Sequence, residues 1–356
     1  MRNRLVAAFR GKRVLVTGDT GFKGSWLSLW LRELGAEVLG YALPAERVDD
    51  HFNLLGLDCL IHHVDGDICD HAHLRQVFDE FQPEFLFHLA AQALVRFSYE
   101  APKLTFDTNI SGSVNILEMA RTTPSLRALI YVTSDKCYRN HEWIWGYREN
   151  DELGGHDPYS ASKAAAEIVF AAYGDAFFSQ MPLLGAASVR AGNVIGGGDW
   201  SRDRIVPDAI KALRDGNPIM LRNPNATRPW QHVLEPLSGY LQLASQLYLQ
   251  PQQFSGPWNF GPRTDSIRTV HDLSKAIVAA WGNGSVQVAA IPNAPREARY
   301  LHLNCDKANH SLHWHPRWDF AHTVAETVHW YKEISADRPA LEVSTQQLRH
   351  YMETTA

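Results

Sequence analysis

The sequence predicts an α/β protein built on a doubly wound parallel sheet, followed by a smaller C-terminal lobe. Between residues 13 and 190, short apolar runs rich in β-branched residues alternate with helical patterns, which is typical of a parallel sheet covered by helices on both faces. After residue 190 this alternation gives way to loops rich in Gly and Pro. We therefore expect a sheet domain at 1–190 and a lobe at 191–356, with segments near 228–262 returning to the sheet.

The composition indicates a globular protein and argues against several classes of function. The chain has 356 residues, of which 45% are hydrophobic, so it can bury a substantial core. Its net charge of −5 argues against a nucleic-acid partner. No apolar run is long enough to span a bilayer, so we expect no membrane association. The four cysteines are far apart and the 17 histidines lack metal-binding spacing, which predicts a reducing cytoplasm and no metal site.

A Gly-rich turn follows the first predicted strand, at 13–17, and leads into a helical pattern that ends at Gly35. The turn carries Gly18, Gly21 and Gly24 in the spacing G-x-x-G-x-x-G. Glycines at these places permit a tight turn and a close backbone approach, so that a pyrophosphate can sit at the helix N-terminus. The turn therefore favours a dinucleotide site; the alternative is an ordinary connection between a strand and a helix.

The second predicted strand, at 37–43, lacks the acid that commonly binds the ribose of NAD at the strand end. It ends in Tyr41-Ala42-Leu43, so this element leaves the choice between NAD and NADP open. Asp67 follows the third predicted strand, at 59–64. It is a candidate acceptor for the adenine amino group, or else the N-cap of the next helix.

The remaining elements are predicted from the same periodicities. Further strands are expected at 85–91, from 129 onward, at 186–190 and at 257–261. Helices are expected at 70–81, 104–121, 158–174, 205–215, 234–249 and 320–335.

Three polar residues after the fifth strand and on the next helix form the predicted reaction centre. Tyr159 and Lys163 are four residues apart, so in a helix both side chains project from one face. Ser134 follows the apolar fifth strand. A carbonyl or alcohol lying against this face would meet all three side chains, and a nicotinamide beside it would permit hydride transfer. The alternative for Tyr159 and Lys163 is an ordinary pair on a helix surface.

Three motifs of the sequence occur together in one known family: the Gly-rich turn, Tyr159-x-x-x-Lys163, and Arg-Ala-Gly-Asn-Val at 190–194. Over about residues 10–340 the chain resembles the extended short-chain dehydrogenase/reductases that act on nucleotide sugars. Ser134-Asp135-Lys136 stands where the 4,6-dehydratases of that family place Thr-Asp-Glu, and an Asp-Lys pair there is similar to the dehydratases of CDP-glucose. The resemblance implies a Rossmann-type NAD-binding domain and a lobe that binds the nucleotide sugar.

The resemblance also implies a reaction, the dehydration of a nucleotide hexose with retained NAD. The sugar is oxidised at C4, loses water across C5 and C6, and is reduced at C6. Tyr159 would take the 4-hydroxyl proton, with its pKa lowered by Lys163 and the nicotinamide, and Ser134 would hydrogen-bond the C4 oxygen. Asp135, its pKa raised by burial, would protonate the departing 6-hydroxyl, and Lys136 would take the C5 proton. The alternatives are a structural cap for Asp135 and a solvated lysine for Lys136.

Contacts to both ligands are implied in the same way. Cofactor contacts would come from Gly18, Gly21, Phe22, Gly24, Asp67, Ile68, Leu89, Ala90, Ala91, Val132, Tyr159 and Lys163. Substrate contacts would come from Asn193, Arg204, Arg228 and Arg299. Arginine suits bidentate binding of a diphosphate, although each arginine has the alternative of an ordinary surface charge.

Two other functions stay open on the sequence. A nucleotide-sugar 4-epimerase shares the fold, NAD, Tyr159 and Lys163, but it has no need of Asp135 and Lys136. A non-catalytic NAD-binding regulator on the same fold has no need of Tyr159 and Lys163.

Assembly is predicted from the resemblance as well. In the resembling family, the helices that correspond to 104–121 and 158–174 form a four-helix bundle across a two-fold axis. The second helix carries Ala164, Ala165 and Ala166, and such small residues allow close helix packing. We therefore expect a homodimer or a dimer of dimers.

Overall fold

A doubly wound parallel sheet is the centre of the fold, as the sequence predicts. The computed structural model describes residues 1–288 and 300–354. Its strands are β1 (Arg13–Thr17), β2 (Glu37–Ala42), β3 (His62–Asp65), β4 (Phe85–His88), β5 (Ala128–Val132), β6 (Gly185–Ala191), β7 (Val194–Ile195), β8 (Ile219–Leu221), β9 (Thr227–Pro229), β10 (Gln231–His232), β11 (Gly256–Phe260), β12 (Ile267–Thr269) and β13 (Val286–Val288). Seven of these form one parallel sheet in the order β11-β6-β5-β4-β1-β2-β3.

Helices cover both faces of this sheet and build the C-terminal part. They are α1 (Arg2–Phe9), α2 (Phe22–Glu33), α3 (His51–Leu55), α4 (His71–Phe81), α5 (Val95–Glu100), α6 (Pro102–Phe106), α7 (Ser113–Thr122), α8 (Pro158–Ala176), α9 (Ile205–Arg214), α10 (Leu234–Leu249), α11 (Pro251–Phe254), α12 (Val270–Trp281), α13 (Asp306–Ser311), α14 (Phe320–Ser335) and α15 (Ala340–Glu353).

Successive side chains of the central strands enter two different hydrophobic cores. On β1, Val14 and Val16 pack into a core that includes residues of α1, α2 and α10. Leu15 packs into a second core with residues of α4, α7 and α8. Because alternate residues of a strand point to opposite faces, a strand buried on both faces is apolar throughout. This is why the strands read as continuous apolar runs in the sequence.

Three predicted elements differ from the structure at their ends or in their interior. The third strand was expected from residue 59, but Leu57–Cys59 forms a 3₁₀ turn and β3 begins at His62. Gly56, with a positive φ of 60°, ends α3, and the turn follows it directly. The helix expected at 104–121 is interrupted by a π-helical stretch, Asp107–Gly112, between α6 and α7. The fourth strand ends at His88 rather than at residue 91.

The chain leaves the sheet after β6 and later returns to it. Helix α10 packs against β5 and β6, and β11 pairs in parallel with β6 at the sheet edge. Between and after these returns, three short strand pairs build the C-terminal part: β7 with β10, β8 with β13, and β9 with β12. In the described part of the chain, no helix has the length and apolarity required to cross a membrane.

Candidate active site

The Gly-rich turn brings the backbone of β1 against the chain after β4. Gly18 has a φ of 78°, and a Cβ added there would come within 2.6 Å of the Ala90 backbone nitrogen. A Cβ on Gly24 would come within 2.0 Å of the Gly18 carbonyl oxygen. Gly21 is the N-cap of α2 and offers no side-chain acceptor to the first amides of the helix. The N-terminus of α2 therefore presents backbone N–H groups and a partial positive charge to an anion.

The other predicted cofactor residues lie along the same edge of the sheet, where the parallel strands end. Phe22 opens α2, and Val132 is the last residue of β5. Asp67 and Ile68 follow β3, and Leu89, Ala90 and Ala91 follow β4. The carboxyl ends of the strands and the glycine cradle therefore fit an extended dinucleotide.

The aromatic side chain of Tyr41 lies near the end of β2. Tyr41 is fully buried, and its hydroxyl donates a hydrogen bond of 3.0 Å to the backbone carbonyl of Asp67. The carboxylate of Asp67 accepts a hydrogen bond from the Cys69 amide. The N-cap of α4 is Asp70, which accepts from the Ala72 and His73 amides, so the capping alternative for Asp67 does not hold.

A buried carboxylate that the sequence did not single out lies next to the end of β2. Asp19, from the Gly-rich turn, rests against Gly40, where a Cβ would come within 1.9 Å of its Oδ2. This Oδ2 is 2.7 Å from Nδ1 of His63 on β3. The other oxygen, Oδ1, is buried without a hydrogen-bond partner in the part of the chain that the structure describes. Asp19 and His63 are 44 positions apart, so no local pattern joins them.

Helix α8 carries the predicted Tyr and Lys into a buried site. The helix starts with Pro158 after the N-cap Asp157, whose carboxylate accepts from the Ser160 amide at 2.9 Å. Tyr159 is 7% exposed and Lys163 is 6% exposed. These values exclude an ordinary pair on a helix surface.

A one-turn 3₁₀ helix after β5 holds the predicted acid, Asp135, and the predicted base, Lys136. Ser134 caps this turn by accepting the Lys136 amide at 3.2 Å, and its hydroxyl donates to Oδ1 of Asp135 at 3.0 Å. Asp135 therefore does not serve as a cap. Its Oδ2 is buried and has no hydrogen-bond partner within residues 1–288 and 300–354. Lys136 is half-buried.

Burial shifts the pKa of both acids at this centre upward. It raises the pKa of Asp135, against the lowering effects of Lys136 and of the hydrogen bond from Ser134. It raises the pKa of Tyr159 to about 12, while the nearby Ser134 hydroxyl acts in the opposite direction. The direction for Asp135 is the one expected from the sequence. The pKa of Tyr159 was expected to be lowered. In the protein without cofactor it is raised instead, because desolvation outweighs the effect of the nearby positive charge.

Two lysines at the same centre, the buried Lys163 and the half-buried Lys23, have lowered pKa values. Burial lowers the pKa of Lys163 to about 8, although Glu167 raises it. Burial and the charge of Arg204 lower the pKa of Lys23 to about 8, and Asp135 raises it. Lys23 belongs to the Gly-rich turn and was missed in the sequence, where a lysine between glycines reads as a solvated side chain. Its charge interacts with both Asp135 and Lys163.

The predicted substrate residues border this centre from the C-terminal side. Arg204 donates to Asp199 at 2.9 Å, and its charge acts on the pKa of Tyr159. Arg228 lies on β9, and its charge acts on the pKa of Asp135. Asn193 follows Gly192, where a Cβ would come within 3.1 Å of Oδ2 of Asp135. Arg299 lies outside the described residues.

A buried polar network joins the elements that surround the centre. Arg190 on β6 donates to the Glu167 carboxylate on α8 through Nε and Nη2, at 2.9 and 2.7 Å. Its Nη1 donates to the Tyr138 hydroxyl at 2.6 Å, and that hydroxyl donates to Oδ1 of Asn259 on β11 at 2.8 Å. The network joins β6, α8, β11 and the loop after the 3₁₀ turn.

Replacement of Gly24 by Ala tests the cradle. The added methyl group would overlap the Gly18 carbonyl, so the turn must open. We expect at least a tenfold loss of dinucleotide affinity, about 1.4 kcal/mol or more, measured by fluorescence titration. Gly174→Ala is the matched control, since nothing lies within 4 Å of its Cβ position on α8. It should leave affinity unchanged and stabilise the helix by up to about 1 kcal/mol. Equal affinity of Gly24→Ala and the unmodified chain would contradict the cradle.

Comparison with known proteins gives the family. A family model described as GDP-mannose 4,6 dehydratase matches residues 15–327. The chain is 48% identical, over 351 residues, to the CDP-glucose 4,6-dehydratase of Salmonella typhimurium, and the match covers 98% of both chains. It is 23% identical over 343 residues to the dTDP-glucose 4,6-dehydratase of the same organism, covering 90% of this chain and 92% of the relative.

Solved structures share the fold. An epimerase from Methanothermobacter thermautotrophicus superposes with a TM-score of 0.82 at 23% identity, covering 94% of this chain and 96% of that one. A dTDP-glucose 4,6-dehydratase from Streptomyces venezuelae, with NAD bound, gives a TM-score of 0.78 at 23% identity, covering 92% and 99%. With its glycine cradle, its buried Tyr and Lys and its close relative over the whole length, the chain belongs to the nucleotide-sugar 4,6-dehydratases of the extended short-chain dehydrogenase/reductase family.

Proposed function

We propose that this protein is a hydro-lyase that converts CDP-glucose to CDP-4-keto-6-deoxyglucose and water with a retained NAD. The observation that carries the proposal is the turn Ser134-Asp135-Lys136 beside Tyr159. It combines a buried acid of raised pKa, one oxygen of which is uncommitted, with the amino group of a lysine one residue away. The relative at 48% identity is named for CDP-glucose, which supports that choice of substrate.

The cofactor residues of this chain would hold NAD at the carboxyl edge of the sheet. The pyrophosphate would bind at the N-terminus of α2, and the small residues Ala90 and Ala91 after β4 would admit a flat ring. Bound NAD supplies the acceptor and later the donor of a hydride, so no net oxidant is consumed.

Tyr159 would remove the proton of the 4-hydroxyl while the C4 carbonyl forms. In the chain alone its pKa of about 12 keeps the phenol protonated at neutral pH. Binding of the cationic nicotinamide, together with Lys163 one turn along α8, would lower that pKa. Ser134 would donate a hydrogen bond to the C4 oxygen, in place of the hydrogen bond it gives to Asp135.

Asp135 and Lys136 would carry the elimination. A buried carboxyl with a raised pKa retains its proton at higher pH than a free Asp, which suits a donor to the departing 6-hydroxyl. Lys136 would take the C5 proton, which is acidic because of the adjacent C4 carbonyl.

The substrate would bind between this centre and the C-terminal lobe. We propose that residues 1–190 bind NAD and that 191–356 bind the nucleotide sugar, with Asn193, Arg204 and Arg228 on the diphosphate side. The product would serve the synthesis of deoxysugars for cell-surface polysaccharides, such as the O antigen of lipopolysaccharide, in the cytoplasm.

A panel of sugar nucleotides tests this assignment against a 4-epimerase. The protein, with NAD added, is incubated separately with CDP-, dTDP-, GDP- and UDP-hexoses, including CDP-glucose. We expect CDP-glucose alone to give a 4-keto-6-deoxy sugar, which is recognised by its absorbance in alkali. An epimerised hexose in any arm, or turnover of another nucleotide at the rate of CDP-glucose, would contradict the proposal.

Lys136→Met tests the base. The variant keeps the aliphatic length and removes the amine. Oxidation at C4 should therefore still occur, and it is followed by the transient absorbance of the reduced cofactor. Solvent deuterium incorporation at C5 should fall about 100-fold or more, the range expected for loss of a positioned base.

Asp135→Asn is the complementary variant. It should retain exchange at C5, because Lys136 is intact, while loss of the 6-hydroxyl becomes slow. If Lys136→Met exchanged C5 at the unmodified rate, another residue would be the base.

We also propose that the protein is a homodimer, or a dimer of dimers, through the helices predicted at 104–121 and 158–174, which are α6, α7 and α8, with α5 beside them. Large apolar side chains are exposed on three of these helices, Tyr99 on α5, Leu104 on α6 and Ile168 on α8. Helices α5, α6 and α8 contact one another. A second copy would cover them in an isologous contact.

Ile168→Lys tests this interface. Ile168 is 58% exposed in the isolated chain, so the substitution should be tolerated by the fold but disfavoured in an apolar contact. Light scattering at micromolar concentration should change from a dimer or tetramer to a smaller species. Leu249→Lys, at the end of α10 and 66% exposed, is the control and should not change the mass. A monomeric unmodified protein would refute the assembly.

A further inference from the structure

Three side chains with metal-binding chemistry meet on the last two helices of the chain. His322 and Glu326 are four residues apart on α14, and His350 lies in the last turn of α15. One nitrogen or carboxylate oxygen from each of the three lies within 4.8 Å of those of the other two. We propose that this group, the α14–α15 cluster, binds one Zn²⁺.

The surrounding residues pack against the cluster. The two imidazole rings are stacked, with centroids 5.6 Å apart and planes 8° from parallel. Trp318 packs against both rings, at 4.8 Å from His322 and 6.0 Å from His350. Gln347 donates to Oε2 of Glu326 at 2.8 Å, which leaves Oε1 on the side of His322. Such outer contacts orient ligands in metal sites.

One atom of the cluster is buried without a partner. Nε2 of His322 has no hydrogen bond among the residues that the structure describes. Its nearest carboxylate atom, Oε1 of Glu326, is 3.7 Å away, which is too long for a hydrogen bond. A buried polar atom that has lost its water without compensation costs free energy. A cation between Nε2 and Oε1 would satisfy both atoms.

The donor set suits zinc. Two imidazole nitrogens and one carboxylate oxygen, with water as a fourth ligand, form a tetrahedral Zn²⁺ site with bonds of about 2.0–2.2 Å. The three ligands must close in from their present separations, and His350 can move because its side chain is exposed. The same exposure provides an entry path for the ion.

Zinc at this place would fasten α15 to α14. Helix α15 is also held by Ser344, whose hydroxyl accepts from the Trp330 indole at 2.9 Å, and by Tyr351, whose hydroxyl donates to Glu235 at 2.8 Å. The catalytic centre is on β5 and α8, so the role of the ion is structural. Glu326 and His350 lie on different helices and are 24 positions apart in the sequence, so no spacing rule for metal ligands predicts the cluster.

Titration of the full-length protein with Zn²⁺, after treatment with chelator and dialysis, tests the cluster. We expect one saturable equivalent per chain by calorimetry and, with Co²⁺ as a probe, the visible absorbance of a tetrahedral site. Zn²⁺ should raise Tm by at least about 3 °C. His350→Ala and Glu326→Gln should each weaken Zn²⁺ binding at least about tenfold. Dehydration of the sugar nucleotide by these variants should proceed at the unmodified rate.

A matched control exists on the same helix. His329 and Glu333 have the same spacing on α14 and a distance of 3.9 Å, but His329 is 56% exposed and belongs to no cluster of three such ligands in the described chain. His329→Ala should leave Zn²⁺ affinity and the gain in Tm unchanged. Absence of a saturable equivalent, or equal affinity of His350→Ala, Glu326→Gln and the unmodified protein, would overturn the proposal.

Discussion

The ion pair between Glu167 and Arg190 is the interaction on which the reaction centre depends. Both side chains are buried, and the carboxylate of Glu167 also accepts from the hydroxyls of Thr133 and Ser188. Thr133 directly precedes Ser134, so one carboxylate on α8 fixes the end of β5 relative to the helix that carries the phenol. Removal of one partner would leave an uncompensated buried charge, a loss on the order of 3–5 kcal/mol.

Local patterns account for what the sequence predicted correctly. The strands are apolar throughout because both sheet faces are covered, and the glycines stand where a Cβ would meet backbone atoms. Tyr159 and Lys163 share one helix and are both buried, as expected for two side chains on one helix face. The turn at Ser134 follows a strand end, where polar side chains of a parallel sheet converge. The 4,6-dehydratase family follows from these features and from the relatives.

What the sequence did not predict depends on contacts between distant segments. Asp19 meets His63 only because β1 and β3 flank β2. Lys23 has a lowered pKa only because the fold shields it from water and brings it near Arg204. The rise in the pKa of Tyr159 reflects desolvation, which a linear pattern does not report. Helices α12 and α15 were missed because only one face of each is buried, α12 against α9 and α14, and α15 against α3 and α14, which leaves a mixed pattern in the sequence.

The position of β11 at the sheet edge has a consequence for how the chain is made. Its neighbour β6 ends at Ala191, while β11 starts at Gly256, so the edge of β6 stays unpaired on the ribosome until the intervening segment has emerged. An exposed edge strand is a template for pairing with another chain. The native pairing also closes a long loop, which raises contact order and slows folding. The nascent protein is therefore most exposed to aggregation in the interval between these two strands, and a chaperone that covers this edge would act there.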